Sequence, residues 1–288
     1  KTVTAEFTEA TIGDMNGNSL MFLHELVSLG FATIQHGKEW QWEQLAQKIR
    51  SNDVSNFKAL LSETIEFKST DKKLVLLGDL LSDRTFNDWF TLNLIDFMHE
   101  QGQSFEIIFS NHDAAFVEYF LANKDKPSDS SFFVSGSGFK HAVNPNISLA
   151  RLNETLNRNP DLRGEFNRLV QTYLSHLNIV GCSKNQQQFY SHGVINQNMV
   201  EDMLTLAGID EPDQANLGIQ EKIWTINRYF HEHAFGSAEA FRKFMAMPED
   251  GGNYHDHYTS NPFFFSIWNI GPFSSNRNYG NNPLHRYC

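Results

Sequence analysis

KLVLLGDLLSDRTFNDWFTLNLIDFMHEQGQSFEIIFSNHD, residues Lys73 to Asp113, decides how this chain folds. Lys73 to Leu77 is an apolar run after two lysines, as expected of a strand buried on both faces. A Gly78-Asp79 turn follows, and Phe86 to Gln101 carries Phe90, Leu94, Phe97 and Met98 at helical spacing. Phe105 to Phe109 is a second apolar strand, and it ends on Asn111, His112 and Asp113. The whole is a βαβ unit with both strands ending in metal-ligand chemistry. Asp79 and Asn111 are thereby expected at neighbouring carboxyl edges of a parallel sheet, where open α/β sheets place their ligands.

Working outward, Ala5 to Ile12 reads as a strand that delivers Asp14 onto the turn GDMNGN, and Ser19 to Leu29 as a helix stopped by Gly30. Residues 31–70 hold two weaker helical patterns, one on Trp40, Trp42, Leu45 and Ile49 and one on Phe57, Leu60, Leu61 and Ile65. They read as a helical insertion that packs on the core and shapes the substrate side second. Residues 124–140 mix Lys, Asp, Ser and Gly and read as a loop. No G-x-x-x-x-G-K-[ST] pattern makes it a phosphate-binding P-loop. A second largely helical insertion is expected over about 146–180, broken near Asn159-Pro160 and Gly164. Phe189-Tyr190 leads as a short strand into Ser191-His192-Gly193, helices continue from Asn198 to about Met247, and Phe263 to Trp268 has the aromatic character of a strand.

At 288 residues the chain is long enough for one sizeable core. A net charge of −11 argues against a general nucleic-acid or anionic-membrane binder, both of which need Lys and Arg against phosphates. It does not exclude a phosphorylated substrate, because bound divalent cations reverse the local field. Two cysteines, Cys182 and Cys288, are too few for a disulfide scaffold and fit a reducing compartment. No apolar run reaches the roughly 18 residues of a membrane span, so a soluble protein is expected. Residue 1 is Lys, and the numbering is expected to start inside a longer natural chain.

Four predicted strand ends carry Asp, Asn or His: Gly13-Asp14, GDLLSDR at 78–84, SNHD at 110–113 and SHG at 191–193. Alone, Asp14 and Asp79 read as helix caps after strands, and Asp83-Arg84 as a surface ion pair worth little. In this order they are better read together. Phosphomonoester hydrolysis, attack of water on an anion, is among the slowest uncatalysed reactions. Two metal ions about 3.5–4 Å apart answer it by neutralising charge and clamping an in-line displacement. Asp79 is the candidate bridging carboxylate, Asp14 a ligand of the first ion, and Asn111 and His192 ligands of the second. Oxygen donors mixed with imidazole suit Mn best, with Fe or Zn as the other choices.

The ordered set GDMNG, GDLLSDRT, SNHD and SHGV resembles the motifs of the calcineurin-like metallophosphoesterases, and among them the phosphoprotein phosphatases: G-D-x-H-G, G-D-x-x-D-R-G, G-N-H-[ED] and a later H-G. Within that family the chain is most similar to the secreted bacterial effector phosphatases of the Wip type. The resemblance implies an α/β sandwich of two mixed β-sheets flanked by α-helices, as a single domain over 1–288. It implies a phosphoprotein substrate, Ser/Thr phosphate favoured and Tyr phosphate the alternative, attacked directly by metal-bound hydroxide without a covalent intermediate. It also implies a bacterial effector delivered into the host cytoplasm. Carried over residue by residue, Asp14, Asn16, Asp79, Asn111 and His192 bind two metals. His112 is the general acid, Asp83 its carboxylate partner, and Arg84 grips the phosphate. Asn16 stands where the family has His, Ser110 and Thr85 where it has Gly. The strand-like FFFSIW would precede a second phosphate-gripping arginine, Arg277, and the family's last metal-binding His is then expected beyond Cys288 rather than at His255, His257 or His285. The alternatives are a phosphoesterase for nucleotides or other small phosphates, and an inactive phosphatase fold used as a binding module.

Overall fold

The computed structural model describes residues 7–68, 71–124, 147–245 and 261–268. The chain divides into two units, residues 1–107 with 142–177 and residues 108–141 with 178–288. The first unit begins with β1 (Glu9–Ile12), α1 (Ser19–Ser28), β2 (Ala32–Ile34), α2 (Glu39–Ser51) and α3 (Phe57–Thr64). It continues through β3 (Ile65–Phe67), β4 (Lys73–Leu76), α4 (Asp88–Glu100) and β5 (Phe105–Ile108). After α5 (Asn111–Asn123), which belongs to the second unit, it resumes with α6 (Ile147–Arg158), a 3-10 turn at Pro160–Leu162, α7 (Arg163–Ser175) and β6 (Leu177–Asn178).

The architecture is the expected α/β one. The strand order is β1-β4-β5-β6, with β4 parallel to β1 and to β5. Leu74, Val75 and Leu76 are buried, which is why β4 reads as an unbroken apolar run. The 31–70 insertion contains the two expected helices. It also contains an antiparallel pair, β2 with β3, closing the ends of the insertion against each other. With three residues per strand, ATI and IEF are too short to show alternation in sequence. At the end of α2, Asn52 adopts a left-handed φ of 58°, and Lys48 reaches Asp53 at 2.7 Å, holding that carboxyl down at about 2.

Helix α4 is buried nearly all round, from Asp88 to Met98, although its sequence pattern gives only one apolar face. It packs on α1 and α3 and on α6 and α7, so the insertions cover the side that periodicity alone leaves to water. The polar residues on that side are paired. The Asp96 carboxylate accepts from Arg168 at 2.6 and 2.9 Å, from Lys58 at 2.9 Å and from Thr172 at 3.0 Å. Burial opposes the charged form of Asp96, but the bonds from Arg168 and Lys58 outweigh it and leave its pKa below the ordinary value.

The second unit holds α5 and then β7 (Gly181–Cys182), β8 (Phe189–Tyr190), α8 (Gln197–Leu206), α9 (Glu211–Gln214), α10 (Ile219–Ala234), α11 (Ala238–Phe244) and α12 (Pro262–Trp268). β7 and β8 pair antiparallel. Phe109 is buried against Phe230 and Phe241, both fully buried in this unit. Arg242 pairs with the fully buried Glu118 of α5.

Residues 262–268 are helical, which corrects the strand expected for FFFSIW. Asn261 accepts from the backbone of Phe263 at 2.9 Å and of Phe264 at 3.4 Å, and Pro262 sits at the first helical position. An Asn cap followed by Pro is a helix start, and seven aromatic-rich residues are too few for periodicity to overrule it. The loop read at 124–140 lies, apart from Lys124, outside the described residues, as do His255, His257, Arg277, His285 and Cys288. Among the described residues no helix is long and apolar enough to cross a membrane.

Candidate active site

In the first unit the parallel register Ile12↔Leu76 brings β1 and β4 to an end at the same level. Each strand then hands over to a Gly-Asp turn. Asp14 and Asp79 both adopt left-handed backbone, with φ of 51° and 54°, as do Asn16 at 52° and Ser82 at 56°. Asp and Asn tolerate this region better than most side chains, but it still costs energy, and such strain gathers at functional sites.

The two turns are stitched together. Gly17 N–H donates to Asp79 O at 3.2 Å, Phe86 N–H to Gly17 O at 3.2 Å, and the Thr85 hydroxyl to Asn16 O at 2.9 Å. Asp88, fully buried at the start of α4, accepts the Ser82 N–H on both carboxylate oxygens at 3.1 Å. Asp79 and Asp83 are buried, and Arg84, half exposed, donates Nε–H to Asp83 Oδ1 at 3.0 Å. Asp14 is exposed, and the Asn16 amide nitrogen is bonded to Asp14 O at 2.9 Å.

In the second unit Ser110 caps α5. Its hydroxyl accepts from Asp113 N–H at 3.1 Å and donates to Asp113 Oδ2 at 2.6 Å, so S-N-H-D is an N-cap whose closing residue is the buried Asp113. This cap fixes the first two helical residues, Asn111 and His112. The β7–β8 hairpin presents His192 just after β8, and its root is held by the buried Asn227, which accepts from Ile179 and Val180 N–H and donates to Val180 O. His192 Nε2 lies 3.1 Å from Asn111 Oδ1, although 81 residues separate them.

Among the described residues, Asp79, Asp83 and His112 form a group whose carboxylate and imidazole atoms could hold a metal ion. The donor chemistry of this group fits: two hard carboxylates with an imidazole. The group includes the expected bridging residue Asp79 and the expected pair Asp83 and His112, and it does not include Asp14. Two supports went unread in the sequence. Asp88 had a signal, the Asn87-Asp88 pair opening a helix; Asp113 had one in the S-x-x-D spacing of a capping box.

The model of the "WipA-like, phosphatase domain" family matches residues 73–287, a span that starts at the strand β4. No protein of curated function matches the chain. Among solved structures, the phosphatase domain from the Legionella effector WipB is similar over 96% of this chain and 95% of its own, at 21% identity and a TM-score of 0.65. That likeness carries the fold; the family match, over most of the chain, carries the membership. The chain belongs to the WipA-like phosphatase domain family.

Proposed function

We propose that the chain is a metal-dependent phosphoprotein phosphatase, with Ser/Thr phosphate favoured and Tyr phosphate the alternative. The observation that carries this is the group Asp79, Asp83 and His112, whose ligand atoms could hold a metal ion. Two divalent ions, Mn first, supply charge neutralisation at the phosphoryl group and a water acidic enough to react near neutral pH. Asp79 would serve both ions, Asp14 and Asn16 would hold the first, and Asn111 and His192 the second. Arg84 binds the phosphate; its Nε is committed to Asp83, so the grip falls to the two Nη groups in a forked geometry. His112 holds the proton destined for the leaving oxygen, and Asp83 orients its ring. Water attacks phosphorus in line, with no covalent enzyme intermediate. The Legionella effector whose phosphatase domain shares this fold supports a further reading: a bacterial effector that acts on host phosphoproteins.

Phosphate release from phosphoserine, phosphothreonine and phosphotyrosine peptides, compared with nucleotides in the same Mn buffer, tests the substrate class. Peptides are expected to be hydrolysed faster, and a preference for nucleotides would overturn the phosphoprotein reading. His112→Ala should lower kcat by about 10²–10³-fold while Mn content stays at the parent level. Lost metal would instead make His112 a ligand.

A further inference from the structure

Helix α6 opens the second helical insertion, which carries none of the phosphatase motifs. Ser148, in its first turn and fully buried, accepts the Asp83 N–H on its hydroxyl at 2.7 Å and donates its own N–H to Asp83 O at 2.9 Å. One turn later, on the same face, Arg151 Nη1 donates to Thr85 O at 2.8 Å. These two residues hold the main chain on either side of Arg84. The first motif closes against the same point. A Cβ on Gly17, whose φ is +67°, would stand 3.3 Å from Ser148 Oγ and 3.5 Å from Asp83 Cβ. Glycine lets the three segments meet.

We infer that Ser148 and Arg151 are positioning residues that aim Arg84, so that the insertion acts as a brace for phosphate binding. The inference rests on Arg84 being the phosphate grip. An arginine side chain gives up about 2 kcal/mol of rotamer entropy when it is held in place, and that of Arg84 is 52% exposed and, among the described residues, is bonded to Asp83 alone. Its aim is therefore set by the main chain from which it springs, and residues 83 and 85 fix that direction. Misplacement of a substrate-orienting group by about 1 Å can cost about a hundredfold.

Arg151→Met keeps the apolar stem of the side chain and removes the donor. It is tested in the parent and in an Arg84→Ala background, with para-nitrophenyl phosphate as substrate and orthophosphate as inhibitor. In the parent, KM and the orthophosphate inhibition constant should both rise about five- to tenfold, the worth of an ordinary hydrogen bond. The change in kcat should be no more than about twofold, with Mn content unchanged, and Arg151→Lys should restore most of the loss. In the Arg84→Ala background the same substitution should change KM by less than about twofold, because residues that act through one another are not additive. An equal rise in both backgrounds, or no rise in the parent, overturns the inference while the phosphatase reading stands. A parent inert toward para-nitrophenyl phosphate, or an Arg84→Ala protein as sensitive to orthophosphate as the parent, sinks the functional reading and this inference with it.

Discussion

Asp79→Asn is expected to lower phosphatase activity by about 10³-fold or more, about 4 kcal/mol of transition-state stabilisation, while the protein stays folded. The two halves of that outcome have separate causes. Asparagine has the size of aspartate and accepts left-handed backbone at least as readily, so the φ of 54° and the bond from Gly17 to the Asp79 carbonyl survive the change. What is lost is the charge. A neutral amide cannot serve as the carboxylate shared by two divalent ions, so bound metal should fall along with activity. Circular dichroism and the melting temperature should match the parent, because relief of a buried negative charge offsets any loosened contact. Full activity in this variant would remove Asp79 from the metal site.

Asp96→Ala should act on stability instead. The carboxylate is 1% exposed and accepts from Arg168, Lys58 and Thr172, which tie α3 and α7 to α4. Breaking a buried charge pair by removing one partner costs about 3–5 kcal/mol. Here the cationic partners are partly exposed and regain water, so the expected loss is nearer about 2–3 kcal/mol, a fall in melting temperature of about 4–12 °C. The pH dependence has a definite sign. The folded pKa of Asp96 lies below the ordinary carboxylate value of 3.8. Its contribution is therefore fully present above that value and is lost as pH falls through the lower, folded one. Denaturant melts of parent and variant should differ most at neutral pH and converge under strong acid. A gap that widens on acidification would contradict the assignment.

How much of this was legible in the sequence depends on the range of the interaction. The strand β4 and the turn after it could be read from one apolar run and one Gly-Asp pair; the Ser110 cap of α5, though marked by four residues, went unread. The pairing of His192 with Asn111 followed from their shared order after strands, and the structure brings them to 3.1 Å. Short elements failed: the three-residue strands β2 and β3 carry no periodicity, and the aromatic run at 262–268 is a helix because of the Asn261 cap before it. Long-range braces were invisible. Nothing in the local sequence of Ser148 or Arg151 marks them as partners of Asp83 and Thr85, since only the fold brings α6 to that loop. For the same reason nothing in the sequence marks Asp96, Arg168 and Lys58, on three separate helices, as partners.

The central claim, that this WipA-like domain hydrolyses phosphomonoesters with divalent metal held by Asp79 and its neighbours, is tested most directly by metal content measured together with turnover. The protein is stripped with chelator, titrated with Mn, and assayed on para-nitrophenyl phosphate at each step. The account predicts that two equivalents of Mn bind and that activity, absent from the stripped protein, returns with them. A protein that stays metal-free in excess Mn and releases no phosphate would contradict it, and would make Asn16, where the family pattern has His, the mark of a phosphatase fold retained for binding alone.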